Sequence, residues 1–113
     1  MGPQDGEEAR HSLVNKPPLD FRLDSPAMEA VDAAMERWTG AEEVLRAMEW
    51  ALARDPEIGR AEFESGAVRV HTIDGARSRD LPTLTVMYRI ENPYITVLEA
   101  WFRDAKYGQS GSA

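Results

Sequence analysis

Leu19, Phe21 and Leu23 alternate with Asp20 and Arg22 in "LDFRL", the period of a half-buried strand. In "DSPAMEAVDAAMERW" the spacing lengthens. Met28, Val31, Met35 and Trp38 recur at helical intervals and define one apolar stripe. Ser25 is placed to cap this first helix, and Pro26 suits its first turn, where no amide donor is needed. A second helix follows in "TGAEEVLRAMEWALARDPEIG". Thr39 and Glu42 have the spacing of a capping box, and Ala41, Val44, Leu45, Met48 and Leu52 share one side. Pro56 disfavours helical geometry in the residue before it, so this helix should end near Asp55.

Past Gly66 the period returns to two. "AVRVHTI" alternates weakly, "TLTVMYRI" alternates clearly, and "YITVLEAWF" is apolar on both faces around Glu99. "DGARSRDLP" and "ENP" supply the turn residues between these strands. The order β-α-α-β-β-β predicts an α+β fold: a helical hairpin on one face of a curved, mostly antiparallel four-stranded sheet. The last strand is expected in the sheet interior. Residues 1–18 and 108–113 are polar, Gly-bearing and without periodicity, which predicts a disordered N-terminal arm and a flexible C-terminal tail around a domain at 19–107.

Charge divides the chain. Of a formal net −7, the segment Asp24–Glu64 carries eleven acids against four bases, whereas Gly66 to the end carries five acids against six bases. A local cationic surface is therefore compatible with an acidic whole. There is no cysteine, and the two histidines, His11 and His71, lie far apart. Neither a metal site nor a cofactor is expected. With no long apolar run and no recognisable signal peptide, the expectation is a soluble cytoplasmic protein without a membrane partner.

Several side chains stand out from the pattern. Trp50 falls about 200° around its helix from Met48. It packs on the first helix, lies flat on the surface, or anchors a partner chain. Arg77, Arg79, Arg103 and Lys106 are either ordinary solvated cations or a phosphate-binding group, for which the planar guanidinium fork is suited. Tyr107 either packs on the sheet edge or takes part in proton transfer, which requires cationic neighbours to lower its pKa. His71 shares a strand face with Arg69 and Ile73 and is expected to be solvated. Glu99 needs water or a cation, and Arg89 on the adjoining strand is the candidate partner.

Taken together, the β-α-α-β-β-β order, the "DPEIG" closing the second helix, the "LTVMYRIE" strand and the following "ITVLEAWFRDAKY" resemble the RelE/ParE superfamily of bacterial toxins. The resemblance spans Leu19 to Tyr107. It implies one half of a type II toxin–antitoxin pair, held inactive by an antitoxin whose segments wrap the toxin. RelE-like members cleave messenger RNA in the ribosomal A site with lysines, arginines and a C-terminal tyrosine; ParE-like members act on DNA gyrase. By that resemblance Tyr107 matches the C-terminal tyrosine and Arg103 a basic position, and Arg77 and Arg79 lie near the family's basic pair. Two positions depart. Thr85 and Trp101 stand where nuclease members carry arginines. The resemblance therefore implies action through protein binding, with Trp50 and Lys106 as partner-binding candidates. A ribosome-dependent endoribonuclease and a non-toxic interaction domain of the same fold are the alternatives.

Overall fold

The computed structural model describes residues 19–64 and 66–106. The expected arm, the expected tail and Tyr107 lie outside these residues. The elements run β1 (Asp20–Leu23), α1 (Ser25–Arg37), α2 (Ala41–Arg54), a 3-10 turn (Pro56–Ile58), β2 (Arg60–Ala61), β3 (Val68–Ile73), a second 3-10 turn (Arg77–Arg79), β4 (Thr83–Glu91) and β5 (Tyr94–Arg103). They form one α+β unit. Its sheet has five strands in the order β1-β5-β4-β3-β2. β1 runs parallel to β5, and the other neighbours are antiparallel.

The expected sheet of four strands is thus corrected to a mixed sheet of five. The additional strand, β2, is only two exposed residues long and pairs Arg60 with Val70 and Ala61 with Arg69. Its period is invisible because two residues cannot display one. β5 lies inside the sheet, between β1 and β4, as its apolar character requires.

One sheet face carries the core. Leu84, Val86 and Tyr88 of β4 and Ile95 and Val97 of β5 pack with Val44, Met48 and Leu52 of α2, all fully buried. Burying such a side chain is worth about 1.5–3 kcal/mol. Residue Leu98 has no partner on β4: Tyr88 pairs with Val97 and Met87 with Glu99. This bulge inserts one residue and returns Ala100 and Phe102 to the helix side.

The second helix buries the stripe expected of it, Leu45 only partly. The first does so only at Val31 and Trp38. Its buried residues are Ala27, Val31, Ala34 and, at the C-cap, Trp38, whereas Met28 and Met35 are 48% and 41% exposed. Hydrophobicity favours methionine, but the gap left above the sheet favours small alanines that let helix and strand approach closely.

Neither expected cap forms. Ser25 is the first helical residue rather than the cap, and Asp24 at the cap position makes no side-chain bond. At α2 the cap is Gly40, and Thr39 turns instead to the β3–β4 loop. There the Asp80 carboxylate accepts from the Thr39 amide at 2.7 Å and from its hydroxyl at 3.0 Å. The Asp80 carbonyl accepts from the Gly40 amide at 2.9 Å. Asp80 adopts a left-handed backbone, φ 52°, to reach these groups, a conformation that aspartate tolerates better than most residues. A Cβ on Gly40 would stand 2.8 Å from the Asp80 carbonyl oxygen, so only glycine admits this approach.

Candidate functional site

With helices on one face, the other sheet face carries the exposed chemistry. Its end nearest the β3–β4 loop is built by three neighbouring strands. Thr72 of β3 lies opposite Thr85 of β4, and Thr85 lies opposite Trp101 of β5. The Thr72 and Thr85 hydroxyls share a hydrogen bond of 2.7 Å. Arg103, two residues beyond Trp101 and so on the same face, donates to the Thr85 hydroxyl at 3.2 Å. The result is one guanidinium held above two hydroxyls, beside an indole that is 46% exposed.

No other cation hydrogen-bonds to these hydroxyls among the described residues. Arg79 leaves the β3–β4 loop toward the helices and pairs with Glu43 of α2 at 2.6 Å, both ends largely exposed. Arg77 is exposed on the same 3-10 turn and makes no ion pair among the described residues. Lys106 is exposed just past β5. Arg79 and Arg103 thus serve opposite layers of the molecule: one binds the helical layer, the other the open sheet face. Such exposed pairs contribute about 0–1 kcal/mol each.

At the other end of the open face the groups are already satisfied. The Arg22 guanidinium lies 3.5 Å from the Tyr94 ring centroid. Glu91 accepts from Arg89 at 2.9 Å and from the Thr96 hydroxyl at 2.9 Å. These two bonds, the one from Arg89 foremost, hold its carboxyl below the ordinary glutamate range. The expected Arg89–Glu99 pair is therefore corrected. Arg89 stands opposite Thr96 and Glu99 opposite Met87, because the two-residue turn at Asn92–Pro93 fixes the ladder there. Glu99 has no ion-pair partner among the described residues.

Two tryptophans mark the helical layer. Trp38 donates its indole N–H to Asp104 at 3.0 Å, stacks near Phe102 with centroids 6.4 Å apart, and carries Arg37 over its ring. Trp50 is 62% exposed with Arg54 over its ring at 4.5 Å. It borders a surface depression shared by β1 and α2, lined by Leu19, Phe21, Arg46 and Ala53. His71 lies opposite Val86 on the helix-facing side of β3, half-buried, and on that face it accompanies Arg69 and Ile73.

Tyr88 is a polar group that the sequence pattern does not single out. Its hydroxyl is buried, donates to the Pro56 carbonyl at 2.6 Å and accepts from the Gly59 amide at 3.0 Å. Burial raises its pKa above the ordinary value, opposed by the Gly59 hydrogen bond. This is a clamp on the end of α2, not a reactive phenol. Among the described residues no three His, Asp or Glu gather as a metal-binding group, and no helix is long and apolar enough to cross a membrane. Compared with known proteins, the chain matches no family model and no curated protein sequence.

Proposed function

We propose that this chain is a RelE/ParE-type toxin-fold protein of the bacterial cytoplasm that acts by binding proteins: an antitoxin chain and a cellular target such as gyrase. The observation that best supports this reading is the partition of its cations. Stabilising a pentavalent phosphate needs several preorganised positive groups converging on one point. Here Arg79 is engaged with Glu43 on the helical layer, while Arg103 stands at Thr85 on the opposite face. Thr85 and Trp101, which by resemblance replace two arginines, fill the centre of that face with a hydroxyl and an indole. An exposed indole is poor at stabilising phosphate charge and effective as an anchor in a protein interface. Trp50 offers a second such anchor on the helical layer.

The test is induction of the chain in bacteria, followed by growth, primer extension on cellular messenger RNA, and a supercoiling assay with purified gyrase. Growth arrest with intact message and inhibited supercoiling is the expected result. Arrest with cleavage at ribosomal A-site codons, abolished by Arg103→Ala, would replace this reading with the endoribonuclease. Absence of arrest would leave a non-toxic interaction domain.

A further inference from the structure

The outer edge of β5 is only half covered. β1 pairs with Tyr94–Val97 and no further; the Asp24 amide makes the last bond, to the Val97 carbonyl at 2.9 Å, and the chain then turns into α1. Which backbone groups remain follows from the alternation of the ladder. The Ile90 amide donates to Ala67, so on β4 the even-numbered residues face β3 and the odd-numbered ones face β5. Thr85–Trp101 and Thr83–Arg103 are then hydrogen-bonded pairs of the β4–β5 ladder. Ala100 and Phe102 consequently aim their N–H and C=O groups at the opposite side, past the end of β1.

Beside this edge runs a groove of about 340 Å³, lined by Ala30, Ala33, Ala34 and Trp38 of α1 and its C-cap together with Ala100, Trp101 and Phe102. Exposed edges are ordinarily blunted by charge, proline or brevity. β1 fits that rule, having four residues that include Asp20 and Arg22. The outward positions of β5 do not: Ala100 and Phe102 carry no charge, line the groove and have no strand beside them.

We propose that this uncovered half of β5 binds one extended segment of a partner protein as an added strand, collinear with β1. The chemistry of the segment is set by the groove. Side chains turned toward α1 meet alanines and must be small and apolar. Those turned to the open face lie against Trp101. At the far end Arg37 lines the groove and Lys106 follows β5, beside Asp104, whose carboxylate is already held by the Trp38 indole and by Arg37 at 3.5 Å. The segment therefore ends there in an acidic residue. Main-chain bonds supply the affinity and the alternate pockets supply the choice of sequence. This inference stands whether or not the protein is a toxin.

Random twelve-residue segments displayed on phage and selected on the full chain provide the test. Enriched segments should alternate small apolar residues and share an acidic end. Ala33→Gln, at an exposed groove position, should weaken a selected peptide at least tenfold; Ala47→Gln, exposed on α2, should change it less than twofold. Hydrogen exchange at the Ala100 and Phe102 amides should slow when that peptide binds. The double variant Arg37→Glu, Lys106→Glu should select segments with a basic end instead. Enrichment no greater than on a folded Ala33→Gln chain, peptides indifferent to Ala33→Gln, or a dimer that Ala33→Gln dissociates would each overturn the proposal.

Discussion

Replacing Tyr88 by phenylalanine removes a single oxygen and leaves two backbone groups without their partner. The ring is fully buried and remains in place. The Pro56 carbonyl loses its donor at 2.6 Å and the Gly59 amide loses its acceptor at 3.0 Å. A buried group left unsatisfied costs about 1–3 kcal/mol. Gly59 is buried, whereas Pro56 is half-buried and can recover a water, so one full penalty and part of another give about 2–3 kcal/mol. At about 4–8 °C per kcal/mol for a domain of this size, the midpoint of thermal unfolding should fall by roughly 8–24 °C. Urea unfolding at pH 7 should show a lower midpoint with an unchanged slope. The pH dependence supplies a second readout. Burial, the leading cause, raises the Tyr88 pKa in the folded protein, so at high pH the folded state holds a proton that the unfolded chain has released. The corresponding stability is fully present below the unfolded phenol value and is lost as pH rises through the folded one. The gap between the parent and Tyr88→Phe should therefore be constant at neutral pH and narrow above about pH 10. A variant within about 0.5 kcal/mol of the parent at pH 7, or a gap that does not narrow in alkali, would refute the clamp.

Asp80→Ala removes the oxygen that accepts both Thr39 bonds and should destabilise by about 1 kcal/mol in urea, while Asp80→Asn, which keeps an acceptor and tolerates the left-handed backbone, should lose less. Glu91 should titrate below the ordinary glutamate range by carbon-detected NMR, and Arg89→Met should move it upward; its contribution to stability is present above the unfolded carboxyl value and lost as pH falls through the folded one. The combined variant Asp32→Asn, Glu36→Gln, Glu43→Gln, Glu49→Gln changes the formal net charge from −7 to −3 and should remain folded, because all four side chains are exposed. Loss of its circular dichroism signal at neutral pH would mean that these acids do more than solvate the helices.

Periodicity made α2 legible because its polar and apolar residues differ sharply: Ala41, Val44, Met48 and Leu52 are buried as their spacing requires. In α1 two places, Ala27 beside Met28 and Ala34 beside Met35, offer a choice between alanine and methionine, and the sequence does not state how wide the gap above β5 is. The caps were hidden for a different reason. Asp80 reaches Thr39 across 41 residues, and no local pattern announces a cap from so far away. Similar logic applies to the candidate site. Trp50 was legible as an outlier from its stripe, and its exposure agrees. The positions of Arg77 and Arg79 along the chain said nothing of the face each would serve, because a loop residue has no period to fix its direction. The Tyr88 hydroxyl was hidden inside an apolar strand, since its partners belong to the turn after α2.

Leu98 links these observations. A run such as "YITVLEAWF" reads as burying both faces and trapping Glu99 inside them. The bulge removes that conflict by spending one residue. Before it, Ile95 and Val97 point into the core and their backbone groups meet β1. After it, Ala100 and Phe102 take over the core-facing role, while Glu99 and Trp101 turn to the open face opposite Met87 and Thr85. Glu99 needs no buried counter-charge there, because the open face is reached by water. The same shift occurs where β1 ends, so the backbone groups that the bulge redirects outward are those that have no strand left to meet. One inserted residue thus sets the side chains of the open face and leaves the adjoining edge available for another strand.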